Sequence, residues 1–274
     1  MARFPASLVL VGAGKMGGAM LEGWLAGGLD PRHISVIDPQ PADSLTALAA
    51  QHGFALNPPT TLSTAEVVVL AIKPQMLDEA SPHFRPLIGN QTLVISVLAG
   101  KTVADLSARL PHEQSNAAIV RAMPNLPASV GRGVTGCFAA AGVSDRQRAL
   151  ATTLLSCVGG VEWVGEENLI DAVTSVSGSG PAYVFLLVEC LAKAGEMQGL
   201  PADVAARLAR MTITGAGELL HQSDLSPATL RTNVTSPGGT TAAALDVLMA
   251  DDGLSPLMIK AVDAARKRAV ALSG

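Results

Sequence analysis

Short apolar runs at regular intervals set the rhythm of the first half of the chain. Leu8-Val9-Leu10-Val11 is a continuous run of strand length, and after a glycine turn the segment Lys15 to Leu25 carries its apolar residues at helical spacing. Ile34-Ser35-Val36-Ile37 predicts a second strand that ends at Asp38. Val67 to Ile72 predicts a third, stopped by Lys73-Pro74, and Thr92 to Leu98 a fourth, stopped by Ala99-Gly100. Ala117 to Ala122 and Gly133 to Phe138 predict two more. Strands apolar on both faces and separated by helical segments describe an α/β, doubly wound parallel sheet.

From about Gly165 the strand signals stop and helix punctuation replaces them. Pro181, Pro201, Pro227 and Pro256 sit where a first helical turn tolerates proline, Ser226 and Ser255 stand in N-cap position, and Gly199 fits a C-terminal stop. The expected organisation is a dinucleotide-binding-type domain over 1–163 and an all-helical domain over 164–274. The predicted helix from Pro181 to Leu200 carries only Glu189, Lys193 and Glu196 as charges, so its apolar surface extends far round the cylinder.

Composition sharpens that picture. Of 274 residues 49% are apolar, 3% aromatic and 15% charged, against about a quarter charged in an average soluble domain. Disorder is excluded, and a net charge of −4 with few aromatics argues against nucleic-acid binding. Residues 1–163 balance 11 basic against 11 acidic side chains, so the whole −4 belongs to the helical part, with 8 and 12. A shortage of polar cover, combined with a wide apolar helix, predicts self-association. Cys137, Cys157 and Cys190 lie in apolar runs at spacings that suit neither disulfides nor metal, and read as buried small hydrophobes in a reducing cytoplasm. The longest uncharged stretch, Ala172 to Val188, holds Gly178, Gly180 and Pro181 and reads as too short to span a membrane.

The chemistry starts at Gly12-Ala13-Gly14-Lys15-Met16-Gly17, a GxGxxG set between a strand and a helix. Gly12 permits the turn, Gly14 lets backbone amides approach a pyrophosphate at the helix N-terminus, and Gly17 lets the helix pack on the strand. Asp38 closes the second strand where a ribose-binding acid is expected; its rival reading is a solvated strand-end carboxylate. On the ribose it would accept from a 2′-hydroxyl and repel a 2′-phosphate, favouring NADH.

Several dehydrogenase patterns fail. The β-hydroxyacid enzymes place a lysine four residues past a glycine of the second domain, and after Gly180 that position is Val184. A YxxxK pattern is absent because Tyr183 is followed by Leu187, and the five histidines His33, His52, His83, His112 and His221 read as surface or loop residues. What clusters in the second half is a set of hydroxyls and an amide: Thr174, Ser177, Ser179, Asn233, Thr235, Ser236, Thr240 and Thr241. A β-hydroxyacid-type dehydrogenase that lost its lysine and a non-catalytic dinucleotide-binding protein remain as alternatives.

Ala71-Ile72-Lys73-Pro74-Gln75, Arg121-Ala122-Met123-Pro124-Asn125, Asp171-Ala172-Val173-Thr174 leading into Gly178-Ser179-Gly180-Pro181-Ala182-Tyr183, and Val234-Thr235-Ser236-Pro237-Gly238-Gly239-Thr240-Thr241 occur in that order. This series resembles the pyrroline-5-carboxylate reductase family. The resemblance implies NADPH- or NADH-dependent reduction of Δ1-pyrroline-5-carboxylate to L-proline. It implies Thr241 as the catalytic hydroxyl on the ring nitrogen, with Ser236, Gly239 and Thr240 on the substrate carboxylate, Asn233 at cofactor or product, and Glu167 near the ring nitrogen. Glu166 beside it leaves that register open by one. Ala71, Ile72, Lys73, Pro74, Val97, Leu98, Ala99 and Ser179 would line the nicotinamide half of the cofactor, and Asn57 the adenosine half. The family's helical domain implies dimers that assemble further into rings. Each assignment has a plainer rival: an interhelical turn at Ser236–Gly239, an N-cap at Thr240, a solvated strand end at Lys73 and a helix cap at Ser179.

Overall fold

The computed structural model describes residues 4–59, 64–111 and 118–273, so His112 and Ala117 of the expected elements lie outside the described residues. Two compact units emerge, Met1–Gly178 with Arg266–Gly274, and Ser179–Ala265. Trp163, the boundary expected from the sequence, marks the end of the last strand, while the units divide after Gly178.

In the first unit, strands β1 (Leu8–Val11), β2 (Ile34–Ile37), β3 (Ala55–Leu56), β4 (Val67–Leu70), β5 (Leu93–Ser96), β6 (Ala118–Met123), β7 (Gly133–Ala139) and β8 (Gly159–Trp163) form one sheet in the order β3-β2-β1-β4-β5-β6-β7-β8. Helices α1 (Lys15–Ala26), α2 (Asp43–His52), α3 (Leu77–Phe84), α4 (Val103–Ser107), α5 (Asp145–Ser156) and α6 (Leu169–Val173) accompany it. The strands alternate between two cores. Leu8, Leu10, Val67, Val69, Leu93 and Ile95 face Trp24, Met20 and Leu154, whereas Val9, Val11, Val68, Leu70 and Val94 face Leu77, Phe84 and Leu106. This is why the runs read as continuously apolar: a strand covered on both faces has no solvent side. Trp24 is fully buried and its indole N–H donates to the Leu154 carbonyl at 2.9 Å.

One pairing departs from an all-parallel sheet. β6 and β7 pair antiparallel. Residues 124–132 between them hold only a 3-10 turn, Leu126–Val130, and a parallel return needs a crossover of about a dozen residues or more. β3 and β8 were also unannounced, β3 because it is two residues long and β8 because Gly159-Gly160-Val161-Glu162-Trp163 is a half-exposed edge with no apolar run.

The second unit holds α7 (Gly180–Met197), α8 (Ala202–Gln222), α9 (Pro227–Asn233), α10 (Thr240–Leu248) and most of α11 (Leu254–Ser273). Pro181 and Pro227 open their helices as expected and Ser226 caps α9 by accepting from the Thr229 N–H at 3.1 Å. Ser255, expected as an N-cap, instead lies inside the first turn of α11. α7 and α8 pack against each other through small residues: a Cβ placed on Gly195 would stand 3.2 Å from the Ala205 Cβ. Ala205 and Ala209 are the buried residues of α8, and α7 has none. Cys190, expected to be buried, is exposed on α7 in the single chain, while Cys137 is buried.

The uncharged stretch lies inside a longer helical run that also holds Asp171, Glu189, Lys193 and Glu196. The helical run Leu169–Met197 is long and apolar enough, by length and composition, to cross a membrane, with 6% of its apolar window buried. Gly178 closes a wide π-turn, Thr174–Gly178, and Pro181 sits in the first turn of α7, so neither breaks the helical path.

Candidate cofactor and substrate sites

Strand order fixes where a ligand can sit in the first unit. The chain builds outward from β1 through β2 to β3, then crosses to β4 on the other side of β1, and this reversal opens a crevice at the carboxyl ends of β1 and β4. The glycine turn lies there. Gly12, at φ 87°, donates its N–H to the Ile37 carbonyl at 2.8 Å, and a Cβ on it would stand 2.7 Å from Ile72 Cγ2 and 2.9 Å from the Ala71 carbonyl oxygen. A Cβ on Gly17 would collide with the Gly12 carbonyl, so α1 lies directly on the turn. Gly14 is different. It is the N-cap of α1, is exposed, and a Cβ there would meet nothing within 4 Å. No side chain caps α1 and no acid occupies its first turn, so its first N–H groups have no side-chain cap. Two glycines therefore serve packing and one leaves the approach clear, an arrangement that fits a pyrophosphate. Lys15 is exposed beside it, while Ala13 and Met16 pack against the core.

Asp38 and Asn57 form one network at the end of β2. The Asp38 carboxylate accepts the Ala13 N–H at 2.9 Å on Oδ2 and the Gln40 N–H at 3.0 Å on Oδ1. Asn57, at φ 46°, accepts the Asp38 N–H at 2.9 Å and donates Nδ2 to the Asp38 carbonyl at 2.7 Å. Its side chain continues the sheet pairing past β3 and holds the Asp38 peptide against the glycine turn. No Lys or Arg occurs in the sequence between Arg32 and Lys73, and Arg32 stands before the other end of β2, paired with Asp30. That pairing holds the Asp30 carboxyl down to about 2, the Arg32 guanidinium being the main cause.

On the β4 and β5 side, the Ala71 N–H donates to Val11 at 2.8 Å and the Val97 N–H to Leu70 at 3.0 Å, extending the sheet into the crevice rim. Lys73 is exposed and precedes the 3-10 turn Pro74–Met76. Ala71, Ile72, Pro74 and Val97 are half-buried and Ala99 exposed, but the Leu98 side chain is 4% exposed and belongs to the core, so it can offer the crevice only backbone.

Glu167 is not a free acid. Its Oε1 accepts Arg121 Nη1 at 2.8 Å and the Val103 N–H at 2.7 Å, whereas the resemblance places it near a substrate ring nitrogen. Arg121 is 5% exposed. Two residues further on, Met123 Cε stands 3.1 Å from where a Gly178 Cβ would be. Two further again, Asn125 donates Nδ2 to the Ser177 carbonyl at 3.1 Å and accepts the Val134 N–H at 3.0 Å. The hydroxyls of Thr174 and Ser177 donate to the carbonyls of Ile170 and Val173 at 2.8 and 3.0 Å, which commits their protons to the helix backbone. The sequence carried this cluster as alternate positions, Arg121, Met123 and Asn125, at the end of an apolar strand, but gave no sign of their partners.

The second unit offers its own anion site. Asn233 ends α9, and residues 234–239 form a turn with Gly238 at φ 69° and the Gly239 N–H on the Ser236 carbonyl at 3.0 Å. Gly239, not Thr240, is the N-cap of α10; no side chain caps it and no acid lies in its first turn. Thr240 and Thr241 open the helix, and both are exposed together with Ser236 and Asn233. Thr235 spends its hydroxyl proton on the Arg231 carbonyl at 2.7 Å. His33, His52, His83 and His221 are all exposed.

Comparison with known proteins converges on one family. Residues 167–272 match the model described as pyrroline-5-carboxylate reductase dimerisation, and residues 7–100 the one described as NADP oxidoreductase, coenzyme F420-dependent. The pyrroline-5-carboxylate reductase of Pseudomonas aeruginosa is 37% identical over 268 residues, covering 97% of this chain and 96% of that protein. A solved structure of a pyrroline-5-carboxylate reductase from Coxiella burnetii superposes with a TM-score of 0.91 at 36% identity, covering 98% and 99% of the two chains. A Plasmodium falciparum pyrroline carboxylate reductase, solved with NADP bound, gives 0.77 at 25% identity over the whole of both chains. The matched helical segment is the one whose apolar faces lie open in the single chain, which accounts for them as a self-association surface and for the hydropathy of Leu169–Met197. With an open glycine turn at the sheet's switch point and relatives this similar along nearly its full length, the chain belongs to the pyrroline-5-carboxylate reductase family.

Proposed function

We propose that the protein reduces the C=N bond of Δ1-pyrroline-5-carboxylate to L-proline with NAD(P)H, as a self-associating enzyme of the cytoplasm whose dimers assemble into rings. The observation that carries the substrate half is the uncapped N-terminus of α10 behind the Gly238-Gly239 turn. N–H groups at a helix start without nearby acid attract a carboxylate, and on this reading Ser236, Gly239 and Thr240 hold it. Asn233 lies at the start of the same turn. Thr241, one position into the helix, donates its hydroxyl to the ring nitrogen, polarising the C=N bond so that its carbon accepts hydride while the nitrogen takes its proton from water. The bound cofactor supplies that hydride. Gly12, Ala13, Gly14, Lys15 and Met16 hold the pyrophosphate, Gly17 sets the helix, and Ala71, Ile72, Lys73, Pro74, Val97, the Leu98 backbone, Ala99 and Ser179 orient the nicotinamide half. The test is oxidation of NADH and NADPH with pyrroline-5-carboxylate as acceptor. Thr241→Ala is expected to lower kcat by more than about tenfold, the scale of losing a well-placed donor. Turnover of 3-hydroxy acids in place of the pyrroline would refute the reading.

A second reading concerns cofactor choice, and the Asp38 network favours it. Both Asp38 oxygens are oriented by backbone N–H groups, and the chain offers no cation between Arg32 and Lys73 to balance a 2′-phosphate. Asp38 therefore accepts the ribose 2′-hydroxyl and NADH is the preferred donor, with Asn57 holding Asp38 in place. Fluorescence titration is expected to give a lower Kd for NADH than for NADPH, with the gap closing in Asp38→Ser. A lower Kd for NADPH in the unaltered protein would overturn this reading.

A further inference from the structure

Among the motifs in the sequence, Arg121-Ala122-Met123-Pro124-Asn125 has no part in the chemistry above. Arg121 and Met123 are alternate residues at the end of β6 and share one face of the strand, and Asn125 follows two residues on, at the start of the 3-10 turn. Each meets a different residue of a single downstream segment. Arg121 pairs with Glu167 ahead of α6, Met123 lies against Gly178, and the Asn125 amide donates to the Ser177 carbonyl. Glu167 in turn receives the Val103 N–H at the start of α4, which ties the turn after Ala99 to the same cluster.

The segment so held is unusual. Thr174–Gly178 is a π-turn, a wide turn whose hydrogen-bond shift leaves backbone groups in need of other partners. Asn125, 9% exposed, meets that need at Ser177 and is itself fixed by the Val134 N–H, so its amide bridges the turn and β7. Ser179 follows immediately.

We propose that Arg121, Met123 and Asn125 form a clamp that sets the π-turn, and that Arg121, Asn125 and Glu167 are positioning residues for hydride transfer, acting through the turn that leads into Ser179. The proposal rests on the reductase reading for its kinetic arm only.

The test compares Asn125→Asp, Asn125→Leu and Glu167→Gln with the unaltered protein. Asn125→Asp keeps the acceptor for Val134 and places a second acceptor against the Ser177 carbonyl; Asn125→Leu removes both bonds at similar volume. Hydrogen exchange in peptides covering 174–178 is expected to rise in both. kcat for pyrroline-5-carboxylate should fall by about tenfold to a hundredfold, the range for displacement of a positioning element, while the Kd for NADH read by fluorescence stays unchanged. For Glu167→Gln, whose amide oxygen still accepts from Arg121 and Val103, the pH profile of kcat should keep its shape. The clamp is overturned if kcat is unaltered while exchange rises, if kcat falls while exchange stays at the unaltered level, or if Glu167→Gln removes a limb of the pH profile. Should Asn125→Leu fail to fold, Asn125→Asp and Asn125→Ser decide the same question. An unaltered protein with no turnover of the pyrroline would refute the reductase reading, and the exchange comparison would still judge the clamp.

Discussion

The sheet unit and the helical unit solve the same burial problem in opposite ways. Leu8, Leu10, Val67 to Leu70 and Leu93 to Ile95 are almost wholly buried between two layers of helix, and Trp24 and Phe84 are fully buried beside them. In the helical unit Phe185, Leu186, Met211, Leu219, Val247 and Ile259 are all half or more exposed in the single chain, and between Ser179 and Ala265 only Ala205 and Ala209 are buried. Equal hydropathy therefore means different things in the two regions. In the first it is spent within one chain; in the second it awaits another copy, because a helix apolar round most of its circumference needs more cover than one small unit supplies.

The strongest way to break this contrast is to put a charge on the helical unit. Phe185→Asp is expected to dissociate the assembly, because a symmetric interface presents each substitution twice and a buried unpaired charge costs several kcal/mol. Sedimentation should show the loss, and an assembly of normal size would mean that α7 faces solvent. Next in size is the core of the sheet unit. Trp24→Ala removes a fully buried ring and its bond to Leu154, and should cost about 3–5 kcal/mol of unfolding free energy in urea. Here the contrast sharpens: the assembly should survive where the sheet unit is merely weakened. The mildest probe uses the cysteines. Burial pushes the Cys137 thiol up to about 12, so the group stays protonated and unreactive toward a thiol reagent at pH 8 until the sheet unit unfolds. Raising the pH toward that value is what would expose the thiolate. Cys190 should be protected in the assembly and labelled in Phe185→Asp; rapid labelling in the intact protein would place it outside the interface.

Legibility differed with the range of the interactions involved. The glycine turn was readable because each glycine answers a local steric demand, and the positions of Gly12, Gly14 and Gly17 divide between packing and approach as that demand requires. The uncapped start of α10 was half readable. Its turn residues were evident, but whether Thr240 or Gly239 caps it depends on backbone angles set by the whole turn. The Leu98 side chain packs into the core and leaves only its backbone for the crevice, because side-chain direction past the end of β5 is decided by what packs beneath it. The bond from Arg121 to Glu167 joins residues 46 positions apart, a pairing that no local pattern signals.

Sequence alone determined the alternation of strand and helix, the dinucleotide turn, the change to helices and the surplus of apolar surface, since these follow from local sterics and from the count of residues that must leave water. Tertiary structure decided the antiparallel turn from β6 to β7, the pairing of Asn57 with Asp38, and the contacts of Arg121 with Glu167, Met123 with Gly178 and Asn125 with Ser177. Those depend on contacts between segments distant in the chain, where geometry selects one partner among many residues of equal local propensity.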